Sequence, residues 1–327
     1  MAVYNPAGAD NVHIDVVLTN ISVAWPNNSF VGPVLFPSVP VGKQSNKYYI
    51  FGHEAWQPEP FGDVRAPGTV ANEIPGLNVS LDAYFCDEHA LQIPVTDEER
   101  ENADSPLRPD QDGTELVTSK LMLQREVNIY NLVSNTALYN PALVVTNSGT
   151  TQWSDYVNSN PIQDMRNALR GIHGMLFMEP THAIIPYLVM SELEDHPDFL
   201  ERIKYSERGI VTPDIVASVI GIQNVIVPGV GWNSTANPGQ AASLQYLWGK
   251  NVIFAYVPTR PGLKTPAYGY EFTFGYGAAM PQIVERWREN QRKSDIVRVS
   301  RRYDLKLVAK DANGLSIAGY IIANAIA

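Results

Sequence analysis

LTNISVAWPNNSFVGPVLFPSVPVGKQSNKYYIF, residues 18–51, is the stretch on which the fold turns. It is rich in apolar side chains yet interrupted by Pro26, Pro33, Pro37 and Pro40. Proline has no N–H to donate and clashes with the preceding helical turn, so neither a long helix nor a central strand can run through it. Val31, Val34, Leu35, Phe36, Val39 and Val41 nevertheless need cover. Each large side chain fully buried contributes about 1.5–3 kcal/mol. Residues 1–45 therefore read as an arm that lies across another surface, its own domain's or a neighbour's.

Working outward, Asn46 to Phe51 and Leu77 to Phe85 read as strands. In the second, Leu77, Val79, Leu81, Ala83 and Phe85 recur with the period of two that marks a half-buried face. Between them lie Pro58, Pro60, Pro67 and Pro75 with Gly62, Gly68 and Gly76. The spacing predicts a long hairpin over 46–85 whose outer part projects, since unstructured loops of that length are uncommon inside compact domains. Thr96 followed by Glu99 fits a capping box. A long helix is expected over 114–139, with Leu116, Leu123, Val127, Tyr130 and Ala137 inward, Leu121 and Leu132 widening that face, and Asn140-Pro141 as the stop.

Beyond Trp153 the pattern mixes helices and short strands. Asn160-Pro161 opens a helix with Ile162, Met165, Leu169 and Ile172 inward, and Thr212-Pro213 opens another that Gly221 ends. Tyr270 to Phe274, Ile296 to Val308 and the closing GYIIANAIA read as strands, with Asn313-Gly314 as a turn. The fold class is α+β.

The 327 residues suffice for one large core or two moderate ones. A net charge of −10 argues against broad non-specific gripping of nucleic acid. The single cysteine, Cys86, excludes an internal disulfide framework and any multi-cysteine metal site, which makes intracellular folding the default. The N-terminus lacks the pattern of a signal peptide, and no run approaches the roughly 20 apolar residues of a membrane span.

Charge is segregated along the chain. Asp87 to Glu115 holds ten acidic and two basic residues, and Glu285 to Lys306 holds eight basic and four acidic ones. Such faces, centred on Glu98 and Glu99 and on Arg298, Arg301 and Arg302, could pair between subunits and set register. As solvated surface they would contribute about 0–1 kcal/mol per pair.

No catalytic, cofactor-binding or metal-binding constellation emerges. The six histidines form no HExxH pattern, and neither a G-x-S-x-G elbow nor a phosphate loop occurs. Glu192, Glu194, Asp195 and Asp198 beside His196 imitate a hydrolase cluster, and a monomeric acidic hydrolase stands as a competing reading.

The order of these segments resembles the major capsid proteins of tailed double-stranded DNA bacteriophages. Residues 18–52 are similar to the arm region of that family, the broken hairpin to its E-loop, and the long helix to the spine of its P domain. PIQDMRNALRGIHGM, HAIIPYLVMSELEDHPDFLERI and TPDIVASVIGIQNVIV are similar to its A domain. The resemblance implies the HK97-type capsid fold: arm 1–45, E-loop hairpin 46–85, P domain 86–152, mixed α/β A domain 153–290, and 291–327 returning a P-domain strand and a final A-domain strand. It implies hexamers and pentamers of this chain in an icosahedral shell around double-stranded DNA, assembled in the host bacterial cytoplasm, with no cofactor, no enzymatic activity and no membrane. It also implies a portal, leaves room for a decoration protein and, since the chain starts at Met1 almost directly with the arm, implies a separate scaffolding protein. The loop from Glu54 to Gly76 has no lysine, so the intersubunit isopeptide of some relatives is not expected. Trp25, Phe30, Phe36, Trp56, Phe61 and Arg65 are the candidate contacts of the arm and loop. An encapsulin-like compartment is the alternative within the same fold.

Overall fold

Proline and capping signals partition this chain into short elements, and two apolar sheets gather them. The computed structural model describes residues 13–14, 30–51, 63–70, 79–104, 107–204, 210–233, 243–262, 265–275 and 282–327. A two-residue strand β1 (His13–Ile14) precedes a helical turn α1 (Gly32–Leu35) and strand β2 (Ser38–Pro40). β3 (Ser45–Phe51) and β4 (Val79–Phe85) pair antiparallel, and β5 (Asp87–Thr96) follows at once. Thr96 and Glu99 complete the expected capping box at the start of α2 (Asp97–Glu101).

The long helix α3 runs Pro109–Val133, earlier at both ends than 114–139. Pro109 sits in its first turn, where a missing N–H costs nothing, and Asp110 and Asp112 complement the positive helix end. Its C-terminus is closed by Tyr139, whose hydroxyl donates to the Val133 carbonyl at 2.6 Å. Of the expected inward residues, Leu121 is buried and Leu123, Val127, Tyr130 and Leu132 pack partly buried on the core, while Ala137 is exposed. Val117, Leu121, Ile129 and Val133 are buried beside Thr114, Thr118, Arg125 and Glu126, whereas Leu116 is 50% exposed.

Then come β6 (Val144–Thr146), α4 (Pro161–Leu176), β7 (His182–Ile184), α5 (Tyr187–Asp195), α6 (Pro197–Ile203) and α7 (Pro213–Ile220). Asn160 caps α4, which buries Ile162, Met165, Ala168 and Ile172, and Gly221 ends α7 in the left-handed region at φ 88°. β8 (Asn224–Ile226), β9 (Gly231–Asn233), β10 (Leu244–Tyr246), β11 (Val252–Ala255), β12 (Gly269–Thr273), β13 (Gln282–Glu289), β14 (Ser294–Leu307) and β15 (Gly319–Ala323) complete the chain.

One sheet has the order β6-β15-β11-β7-β8 and carries α4 against β15; β11 is buried along its whole length. The other has the order β1-β13-β14-β12-β2, with β5 also on β14. β14 is its hub, pairing β13 over residues 294–301, β12 over 303–307 and β5 over 294–303. The expected mixed unit 153–290 therefore splits after β11, because β12 and β13 leave the first sheet for the second. The arm expected over 1–45 is likewise partly body: Val31, Leu35 and Phe36 are fully buried, and β2 pairs parallel with β12. Among the described residues no helix is long and apolar enough to cross a membrane.

Candidate assembly surfaces

The β3–β4 hairpin is apolar on both sides. Its inner face places Tyr48, Ile50 and Tyr84 in a cluster with Cys86, Tyr270 and Phe272. Tyr84 stacks on Phe272 at 4.8 Å, and Tyr48 meets the same ring at 5.1 Å. Asp82 ties the strands to the body, accepting from the Tyr48 hydroxyl at 3.0 Å and from Lys310 Nζ at 2.9 Å. Those two donors and the Ala83 N–H hold its carboxyl below the usual range against the opposing effect of burial, which pushes the Tyr48 hydroxyl far up.

The outer face carries Tyr49, Leu81 and Phe85, exposed at 54%, 55% and 53%. Tyr49 lies directly opposite Leu81, and Lys47 opposite Ala83. This reverses the expectation that Leu81, Ala83 and Phe85 face inward. An isolated two-stranded ribbon is marginal in water, and one with apolar groups on its open face is suited to a partner.

The loop 63–70 is wholly exposed. Its turn is set by Pro67 and by Gly68 at φ 84°, with the Thr69 N–H donating to the Ala66 carbonyl. Arg65 donates to the Thr69 carbonyl on this turn. Phe30 packs, partly buried, on the main core. Phe36 cannot be an intersubunit contact, because its ring is wholly covered within the chain, 5.7 Å from Tyr268. Trp25, Trp56 and Phe61 lie outside the described residues.

Part of the segregated charge meets inside one chain, so Arg302 and Arg288 need no neighbour for a partner. β5 and β14 pair antiparallel over ten residues and bring the acidic and basic runs together. Arg302 donates to Glu88 at 2.9 Å, Arg288 to Asp97 at 2.6 Å, and Arg298 Nε to Glu285 at 2.6 Å. Asp295 accepts from Arg286 and lies 2.7 Å from Arg100, so the two guanidiniums keep its carboxyl low despite burial. Glu99 is committed to its capping box, and Glu98 stays exposed.

Arg301 belongs to a feature that charge patterning did not suggest. Glu271 on β12 is fully buried and holds two cations. Arg125 of α3 binds it bidentately, with Nε at 3.2 Å, and Arg301 of β14 approaches at 2.9 Å. Asn128 extends the network to the Tyr303 hydroxyl at 3.0 Å. No local motif marks this triad, since its members are separated by up to 176 positions; only the buried period of α3 could have pointed to Arg125.

The carboxylates around His196 do not assemble a hydrolase. His196 is 1% exposed and accepts at Nδ1 from the Asp198 N–H at 3.2 Å. Nε2 therefore carries the proton and donates to Ser159 Oγ at 3.1 Å, while Ser159 donates to the Asp155 carbonyl at 2.8 Å. A nucleophilic triad needs the opposite polarity, with the imidazole accepting the serine proton. Asp198 Oδ2 stands 4.0 Å from Nδ1 and has no hydrogen-bond partner. The constellation caps α6 and ties it to the segment before α4.

Burial holds the His196 imidazole below its ordinary pKa, as it does those of His89 and His182. The folded pKa lies below the unfolded one, so lowering pH through about 6.5 lets the unfolded chain take up protons that the fold resists. The unassembled subunit should melt at progressively lower temperature from pH 7 to 5. His196→Asn should flatten that slope; identical slopes for the two proteins would show that folding does not shift the His196 pKa. Among the described residues no group of three or more His, Cys, Asp or Glu could hold a metal.

No protein-family model matches the chain. It is 27% identical over 265 residues to the major capsid protein of Burkholderia phage BcepMu, covering 80% of this chain and 82% of that one. It is 28% identical over 251 residues to the major capsid protein of Pseudomonas phage JBD67, covering 74% and 77%. Among solved structures, a phage-related protein from Bordetella bronchiseptica superposes with TM-score 0.75 at 24% identity, covering 95% of this chain and 97% of that one. The capsid of cyanophage P-SCSP1u superposes with TM-score 0.60 at 10% identity, covering 88% and 86%. By sequence this chain is similar to phage major capsid proteins at 27–28% identity, and by structure it has the HK97-type capsid fold.

Proposed function

We propose that this chain builds an icosahedral phage head from hexamers and pentamers of itself, enclosing double-stranded DNA. The observation that carries the reading is the outer face of the β3–β4 hairpin, where Tyr49, Leu81 and Phe85 stand half exposed in a single chain. In a shell that face gains cover from a neighbouring copy, with Arg65 on the exposed turn 63–70 as a further contact. The hairpin then serves as the base of the E-loop, α3 as the spine of the P domain, and the β6-β15-β11-β7-β8 sheet with α4 as the core of the A domain. The net charge of −10 suits a wall that contains DNA without gripping it. The subunit acts by geometry and not by catalysis, in keeping with the reversed polarity at Ser159 and His196. Scaffolding, portal and decoration proteins are its expected partners, and the host cytoplasm its place of assembly.

Sedimentation of the full chain, produced alone and with the neighbouring head genes, tests this. A narrow megadalton species is expected, with nucleic-acid absorbance when recovered from infected cells. Shells holding protein cargo and no DNA would favour a compartment. A compact 36.2-kDa species under every condition would sink the shell reading.

A further inference from the structure

The end of α4 is built against its own stability. Gly174 lies in the last turn, where alanine is the better helix former, and a Cβ there would meet nothing within 4 Å. Gly171, three residues earlier, differs. Its Cβ would lie 3.1 Å from the Tyr320 ring, so that glycine lets the helix approach β15. Three residues after Gly174 the bias reverses. Phe177 takes the left-handed position that closes the helix, at φ 52°, where glycine is the usual occupant and a bulky side chain is strained. Burial does not offset that strain, since the ring is 60% exposed and stands 5.9 Å from the His173 ring.

Both departures border one recess of about 260 Å³. Arg170, His173 and Gly174 line it from α4, Glu179 and Pro180 from the segment before β7, and Gly221 from the end of α7. A cavity of about 150 Å³ suffices for a benzene ring, so a phenylalanine side chain fits here. Arg170 and Glu179 have no ion pair or hydrogen bond among the described residues. An exposed ring, a socket and one free charge of each sign therefore lie side by side on one surface. Local rules broken together, with no gain inside the chain, mark a functional place. A partner of a single charge sign would leave either Arg170 or Glu179 facing its like, whereas a second copy brings both signs.

We propose that the end of α4 is a two-fold contact with a second copy of this chain, in which Phe177 of each copy enters the recess of the other and Arg170 of each pairs with Glu179 of the other. Gly174 and Phe177 are then explained together. Glycine leaves room for the incoming ring, and the left-handed turn holds the outgoing one clear of its own surface. A patch that carries both knob and socket is self-complementary, which is the requirement of a two-fold interface. One side chain in one recess falls short of the roughly 1,200–2,000 Å² that a stable interface buries, so the contact works as one of many in a lattice. It rests on the shell reading for that lattice, and it is separate from the β3–β4 hairpin.

Gly174→Ala in the full chain is the first test, because its two expected effects have opposite signs. The added methyl favours the helix, so the unassembled subunit should melt about 2 °C higher. The same methyl stands in the socket, and the yield of shells should fall about tenfold. A general loss of stability cannot produce that pair of results. Arg170→Glu alone should lower the yield to a similar degree by setting carboxylates against each other. Adding Glu179→Arg to it should restore the yield, because exchanging both charges keeps each copy complementary to the next. If Gly174→Ala melts higher but assembles at the unaltered yield, or if it melts lower, the contact is overturned. It is equally overturned if the double exchange brings no rescue, which would point to a partner other than a second copy. If the unaltered chain forms no shells under any condition, the shell reading fails instead. The weight-average mass of the concentrated subunit then decides the contact: a drop with Arg170→Glu that the exchange reverses keeps it, and no difference overturns it.

Discussion

Glu271→Ala is expected to lower the stability of the unassembled subunit by about 3–5 kcal/mol, the range for removing one partner of a buried charge pair. Glu271 is fully buried between Arg125 and Arg301, whose side chains are 7% and 10% exposed. Arginine stays protonated in proteins, so removing the carboxylate leaves two positive charges facing each other out of water. Burial already pulls the Arg301 guanidinium below its ordinary pKa, which shows how little solvent reaches it. The upper end of the range is therefore expected, against a typical total of about 5–15 kcal/mol for a domain. Urea unfolding is the measurement, on unassembled protein, because association would mask the loss by mass action. A triple replacement, Arg125→Met with Glu271→Leu and Arg301→Met, should recover most of it, since apolar groups of similar volume often do as well as a buried ionic cluster. A loss below about 1 kcal/mol for Glu271→Ala would mean that water or neighbouring groups compensate the arginines, and the triad would not be what joins α3, β12 and β14.

That triad also marks where the sequence stops being readable. Local signals were clear wherever a few adjacent residues settle a backbone: the Thr96–Glu99 capping box, Asn160-Pro161 at the start of α4, and Gly221 at the end of α7 all stand where expected. Faces were harder. The stripe that α3 buries contains Thr114, Thr118, Arg125 and Glu126, so a search for apolar spacing finds Leu121 and the partly buried Leu123, Val127, Tyr130 and Leu132 but misses the polar half of the face and adds the exposed Leu116. Both sides of the β3–β4 hairpin are apolar, and a period of two cannot say which one faces the core. Pairing across two hundred positions was not visible at all. The acidic and basic runs look like surfaces for different molecules until β5 is laid along β14. Among the candidate contacts, Phe36 shows the same limit: the prolines around it suggest a reaching arm, but the aromatic ring of Tyr268 waits in the same chain.

Leu81→Lys combined with Phe85→Lys is expected to abolish shell formation while leaving the single subunit folded. Both side chains are more than half exposed on the outer face of the hairpin, and neither joins the Tyr48, Tyr84 and Phe272 cluster beneath. Surface substitutions of this kind change monomer stability by about 0.5 kcal/mol or less. At a subunit contact the arithmetic differs. Full burial of an exposed large apolar side chain contributes about 1.5–3 kcal/mol; Leu81 and Phe85 have about half of their surface left to cover, and a pair of lysines adds desolvation in place of that gain. A loss of roughly 1.5–3 kcal/mol per contact weakens each association about tenfold to a hundredfold. Every subunit of a closed shell carries the same change, so the effect repeats around the lattice. Sedimentation should find the variant as small species at concentrations where the unaltered chain forms particles, with an unchanged melting temperature at matched pH. Particles of normal yield and stability would instead place the hairpin's outer face in solvent in the assembled state. The apolar surface at Tyr49, Leu81 and Phe85 would then need a partner other than a second copy of this chain.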